Sequence, residues 1–229
     1  MHFLRKGCSI LHFKTVFFDL DGTLTDPAEG ILNSVRHALS EMEWSLPPDT
    51  QMTDFIGPPL FEAFSRIVGM GEADAVRAVS EFRTYFSDKG IFENRLFDGV
   101  PTLLASLRQR GIRVALATGK PEVFAKKILL HFGIDDFFTS VCGIPLDDER
   151  GDKREVLLRA MVAEGITDPK EAIMVGDRRY DVEAAHACGM TACGVLFGYG
   201  TREELTLAGA EHIFADIPSL SAFLLGDAK

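Results

Sequence analysis

The chain has 229 residues, with 24 basic against 34 acidic side chains and a formal net charge of −10. At about 150 residues per domain, this length predicts one large domain carrying an insertion, with a core that needs no covalent staples. The acidity argues against a non-specific nucleic-acid binder and a polybasic membrane anchor, since both need a basic surface.

Residues 1–13 are expected to form an irregular extension. They contain no signal-peptide cleavage site, and nothing in the chain approaches an apolar run of membrane-spanning length. The cysteines at 8, 142, 188 and 193 are too few and too scattered for a disulfide framework. Cys188 and Cys193 flank a glycine-containing turn, but all four are read as small apolar fillers in a reducing cytoplasm. The first strong element, residues 14–19, is a short β-branched and aromatic run and predicts a strand buried on both faces.

Residues 26–96 contain no convincing strand. Ile31, Val35, Ala38, Leu39 and Met42 have helical spacing, as do Ala75, Val76, Val79, Phe82 and Phe86. The turn-rich run Phe55-Ile-Gly-Pro-Pro59 lies between them. From 97 onwards the rhythm changes. Strands are expected at 113–117, 172–176 and 192–196, with a shorter one at 212–215. Helices between them end at Gly111, Gly133, Gly165 and Gly189, where left-handed caps are expected. Such alternation implies β-α-β units and a Rossmann-like parallel α/β core. Residues 1–25 and 97–229 are assigned to that core, and 26–96 to an all-helical subdomain inserted after the first strand.

Two motifs carry pairs of carboxylates at the ends of strands. Asp19 and Asp21, in Phe18-Asp-Leu-Asp-Gly-Thr23, follow the first strand, and a strand would point both to one side. Asp177 follows the run at 172–176, with Asp181 one helical turn further. In a parallel sheet this is the edge where ligands bind. Four clustered hard-oxygen donors without histidine or cysteine suit Mg²⁺ rather than Zn²⁺. A cation would also let an acidic protein accept an anion. Thr118 and Gly119, followed by Lys120 and an expected helix, offer a hydroxyl and backbone N–H groups as an anion cradle. The alternative for Thr118 is a plain N-cap. Lys153 opens another helix, where a lysine opposes the macrodipole, and it makes sense as a charge balancing aspartates and phosphate. Lys120, Arg178 and Arg179 lie beside motif positions, open either to substrate contact or to a solvated rim. The acidic run 147–152 reads as an exposed loop, and no histidine falls inside a motif.

Asp19-x-Asp21-Gly-Thr, Thr118, Lys153 and Gly-Asp177-x-x-x-Asp181 resemble, in this order, the four motifs of the haloacid dehalogenase superfamily. The resemblance runs from about Thr15 to the end of the chain. Residues 26–96 resemble its C1-type helical cap. Phe55-Ile-Gly-Pro-Pro-Leu60 and Gly90-Ile-Phe-Glu-Asn94 look like the phosphoglycolate phosphatase branch, some of whose relatives are called 5′-nucleotidases.

The resemblance implies hydrolysis of a small phosphate monoester, phosphoglycolate-like or a nucleoside monophosphate. Asp19 is then the nucleophile that becomes an aspartyl phosphate, and Asp21 the acid and base for the leaving alcohol and the water. Thr118, Gly119 and Lys153 hold the phosphoryl oxygens. Asp19, Asp177 and the Asp21 backbone carbonyl ligate Mg²⁺, with Asp181 supporting the metal through water. Gly57 and Pro58 belong to a stiff cap loop that meets the leaving group. An intact Asp21 argues against carbon–halogen cleavage, which needs no acid for the leaving group. A sugar-phosphate phosphomutase is the alternative enzyme, and a non-catalytic binding protein on the same fold the alternative from another class. The remaining expectations are a cytoplasmic monomer or weak dimer without nucleic-acid or membrane partners.

Overall fold

The structure, a computed structural model, describes residues 13–48, 50–148 and 151–227. Cys8, the extension before Phe13, and Glu149 and Arg150 of the acidic run lie outside the described residues.

The elements follow in chain order. Strand β1 is Thr15–Phe18 and β2 is Thr25–Asp26. Helices α1 (Ala28–Glu41), α2 (Leu60–Ala63) and α3 (Glu72–Tyr85) follow, then β3 (Arg95–Leu96). The remainder alternates: α4 (Val100–Gln109), β4 (Arg113–Pro121), α5 (Glu122–His131), β5 (Ser140–Ile144), α6 (Lys153–Ala163) and β6 (Ala172–Gly176). It closes with α7 (Arg179–Ala187), β7 (Thr191–Val195), α8 (Arg202–Ala208), β8 (His212–Phe214) and α9 (Ile217–Leu224).

Six strands form one parallel sheet in the order β5-β4-β1-β6-β7-β8. The α/β architecture expected from the alternation is therefore present. β1 lies between β4 and β6, and all four of its residues are buried, as its unbroken apolar run requires. The order also reverses there, so the carboxyl ends of β1, β4 and β6 surround a topological switch point. Among the described residues no helix is long and apolar enough to cross a membrane.

One strand of this sheet escaped the sequence reading. β5, Ser-Val-Cys-Gly-Ile, is a short edge strand with little intrinsic β preference, and it exists through its pairing with β4. A Cβ on Gly143 would stand 2.4 Å from the Lys120 carbonyl, so only glycine lets the two backbones approach there. The end of β4 also corrects an expectation. Thr118, Gly119 and Lys120 remain extended within β4, with a register shift against β5 between Ala117 and Pro121. The residue that caps α5 is Pro121, so Thr118 is not an N-cap.

Between β2 and β3 the described residues form only helical elements, and α2 and α3 each end in a wider π-type turn, at Phe64–Val68 and Phe86–Gly90. Ile31, Val35, Ala38 and Leu39 are buried, as are Ala75, Val79, Phe82 and Phe86. Val76, also expected on the apolar face, is 37% exposed. Helix α1 meets the second π-type turn in close contact, since a Cβ on Gly30 would lie 1.9 Å from the Gly90 carbonyl. At the two ends of this helical stretch, β2 and β3 pair antiparallel, and Asp26 is bound to Arg95 at 2.6 Å. Two residues each are too few to give a strand signal in sequence, so this ribbon was unforeseen.

Candidate active site

The site is assembled from strand ends. The Asp19 N–H donates to the Val175 carbonyl at 2.9 Å, which continues the β1–β6 ladder one residue past the strand. Asp177 follows β6 and is fully buried. Its Oδ2 accepts the Tyr199 N–H at 2.8 Å and its Oδ1 the Thr23 hydroxyl at 3.3 Å. Gly22 explains part of the Asp-x-Asp-Gly-Thr pattern. Its φ is +80°, and a Cβ there would stand 2.2 Å from Asp177 Oδ2. Asp181 sits in the first turn of α7, where its Oδ2 accepts the Arg178 N–H at 3.1 Å. Lys153, the first residue of α6, places Nζ 2.7 Å from Asp19 Oδ1 and 2.8 Å from Asp181 Oδ1.

Asp19, Asp177 and Asp181 each offer a carboxylate oxygen, and these lie within 4.8 Å of one another. Burial pushes Asp177 well above the ordinary carboxylate range, and Asp181 and Asp19 push it further. Burial also raises Asp181, to about 6, with Lys153 pulling against it and Asp19 adding to the rise. Burial works against the charge on Lys153, but Asp181 and Asp19 outweigh it and hold the ammonium above its usual value. One ammonium thus faces more negative charge than it balances. Asp19 Oδ1 and Asp181 Oδ1 are buried and share the one Lys153 ammonium, with no other donor among the described residues. Three clustered carboxylates facing a single ammonium leave an excess of buried negative charge, which fits a hard divalent cation of the Mg²⁺ kind.

The Asp21 carboxylate stands outside that trio. Its Oδ2 pairs with Lys120 Nζ at 2.5 Å, and the ammonium lies 4.6 Å from the centre of the Phe86 ring. Burial raises Asp21, and Lys120 opposes the rise. Thr118 is buried, and its hydroxyl accepts the Lys120 N–H at 3.2 Å.

Asp19, Asp21, Thr118, Gly119, Lys153 and Asp181 all border one cavity of about 160 Å³ beneath the helical stretch. Gly57 and Pro58, expected in a loop facing the substrate, border it too, while Asp177 is not among the residues that line it. Gly57 has a φ of +109°, and the Arg178 guanidinium packs against it and donates to the Ile56 carbonyl. Arg178 Nε pairs with Glu204 at 3.0 Å. Arg179 does not border the cavity and its guanidinium is held by Tyr180, so it belongs to the rim.

Sequence reasoning missed two residues here. Arg83, from α3, borders the cavity. Tyr199 joins Asp177 to the ribbon, because its N–H binds Asp177 and its hydroxyl donates to Asp26. The glycines at 198 and 200 marked this loop as unusual, but nothing local tied it to Asp177.

A parallel sheet that gathers carboxylates, a threonine and a lysine at its carboxyl edge, beside a helical stretch, defines an α/β phosphatase. Haloacid dehalogenase-like hydrolases match the chain over residues 16–195. A 5′-nucleotidase of Pseudomonas aeruginosa is 40% identical over 214 residues, which cover 93% of this chain and 96% of that one. Tyrosine-protein kinase PtkA of Mycobacterium tuberculosis is 44% identical over 185 residues, 81% of this chain and 62% of that protein. The crystal structure of a predicted phosphatase from Clostridium acetobutylicum superposes with a TM-score of 0.88 at 39% identity, covering 93% of this chain and 99% of that one. The chain belongs to the haloacid dehalogenase-like hydrolases and is a phosphoric monoester hydrolase.

Proposed function

We propose that this protein hydrolyses a small phosphate monoester, phosphoglycolate-like or a nucleoside monophosphate, through an aspartyl phosphate on Asp19. The observation that carries this reading is the division of labour among the carboxylates. Asp19 shares Lys153 and a cation-suited cluster with Asp177 and Asp181, while Asp21 stands apart on Lys120.

In the first half-reaction an Asp19 oxygen attacks phosphorus and the bond to the leaving oxygen breaks. Asp21, raised by burial, delivers its proton to that oxygen, so the product leaves as a neutral alcohol. In the second half Asp21 takes a proton from water, the water oxygen attacks phosphorus, and the bond to Asp19 breaks to release phosphate. Lys153, Thr118 and the backbone at Gly119 hold the phosphoryl oxygens. Asp19, Asp177 and the Asp21 carbonyl would hold Mg²⁺, with Asp181 behind it, and the cation would neutralise charge on the transferring group. Residues 26–96 act as a cap over a core of 1–25 and 97–229, and exclude water when closed. The free, buried state of Cys142, Cys188 and Cys193 supports a cytoplasmic setting.

Turnover of an aryl phosphate with Mg²⁺ tests this reading. Asp19→Asn is expected to lower kcat by roughly 10³-fold or more. Equal rates for the variant and the native enzyme would overturn it. A sugar bisphosphate tests the mutase alternative, which predicts isomerisation without release of phosphate. A tyrosine peptide, offered with a phosphoryl donor, tests the activity carried in the name of PtkA.

A further inference from the structure

Four cationic side chains border the cavity among the described residues: Arg83, Lys120, Lys153 and Arg178. Three are already matched. Lys153 faces Asp19 and Asp181, Lys120 faces Asp21, and Arg178 holds Glu204. Arg83 has no ion-pair partner among the described residues, and its Nε is buried with no hydrogen-bond acceptor. A buried, unpartnered guanidinium nitrogen carries its full desolvation penalty and calls for an explanation.

The neighbours of Arg83 point to one. Helix α3 brings it to the cavity between Phe82 and Phe86, both buried cavity-lining rings. Phe86 also underlies Lys120 and packs edge-on against Phe124, so this wall is aromatic. An ion pair formed against such a wall is poorly screened and correspondingly strong. The residues proposed to hold the phosphoryl group, Thr118, Gly119 and Lys153, come from β4 and α6 of the sheet-bearing part, whereas Arg83 comes from α3 of the helical stretch. Arg83 therefore faces the part of the substrate that leaves.

Resting on the hydrolase reading above, we infer that Arg83 determines specificity by pairing with an anionic group on the leaving alcohol, of carboxylate type. The guanidinium fork fits a carboxylate with two parallel hydrogen bonds. The preferred substrate is then the phosphate ester of a short hydroxy acid. An ester of a neutral alcohol leaves Arg83 unpaired and forfeits that interaction.

The test compares kcat/KM for phosphoglycolate and for ethyl phosphate, which matches it in length but lacks the carboxylate. The native enzyme is expected to favour phosphoglycolate at least tenfold. Arg83→Gln is expected to lower the ratio of the two constants by roughly 10- to 100-fold, and Arg83→Lys by less. A native enzyme without preference overturns the inference, whatever the variants do. So does Arg83→Gln reducing both esters equally, because the arginine would then serve the phosphoryl group or the cap fold. Both results leave the hydrolase reading standing. Absence of turnover on both esters and on an aryl phosphate would overturn the hydrolase reading and this inference together.

Discussion

The carboxylate cluster makes a prediction about stability that needs no substrate. Asp181 is raised from 3.8 to about 6 in the folded protein. Between those values the folded state keeps a proton that the unfolded chain has released. It therefore binds more protons than the unfolded state, and its stability falls as pH rises through the window. The full shift corresponds to on the order of 3 kcal/mol at neutral pH. In a chain of this size that is about 6–12 °C in Tm. The perturbation is Asp181→Asn: the amide oxygen can still accept the Arg178 N–H, while the charge and the acceptor for Lys153 Nζ are lost together. Thermal melts of both proteins in chelator, from pH 4 to pH 8, isolate the effect from other titrating groups. The difference in Tm is expected to move in favour of Asp181→Asn as pH rises from 4 to 7, and then to level off. Adding Mg²⁺ at pH 7.5 should raise the native Tm more than that of the variant, because the cation relieves the same repulsion. Parallel Tm curves across the whole range would refute the reasoning.

The other expectations concern single contacts. Lys120→Met removes the charge that opposes the burial of Asp21. The pKa of Asp21 then rises further, and the acidic limb of the pH–rate profile is expected to move to higher pH, read with an aryl phosphate. Gly22→Ala places a methyl against Asp177 at a positive φ. It is expected to cost roughly 2 kcal/mol or more in denaturant melts and to weaken Mg²⁺ dependence through displacement of Asp177.

How much of this was legible in the sequence depended on whether the signal was local. Strands β1, β4, β6 and β7 could be read because each is a short apolar run bounded by turn residues. Asp19, Asp21, Asp177 and Asp181 could be read because they directly follow such runs, and the chemistry of a strand end is set by its own few residues. Strand β5 could not, since Ser140–Ile144 becomes a strand only through hydrogen bonds offered by β4. The β2–β3 ribbon could not, because Thr25–Asp26 and Arg95–Leu96 carry no periodicity and meet across the whole helical stretch.

The same division runs through the site. Sequence alone determined which types of group are present and at which strand ends. It left Lys120 undecided between substrate contact and rim. Only the tertiary structure decided that Lys120 pairs with Asp21 across 99 residues of chain, and that Tyr199 spans from Asp177 to Asp26. Only the fold made Arg83 the cavity's cation without an ion-pair partner among the described residues, because being unmatched is a property of every neighbour at once. Burial separates the two kinds of knowledge. The pattern of residues shows where charge is placed, but the fold decides how much water each charge loses and which partner answers it.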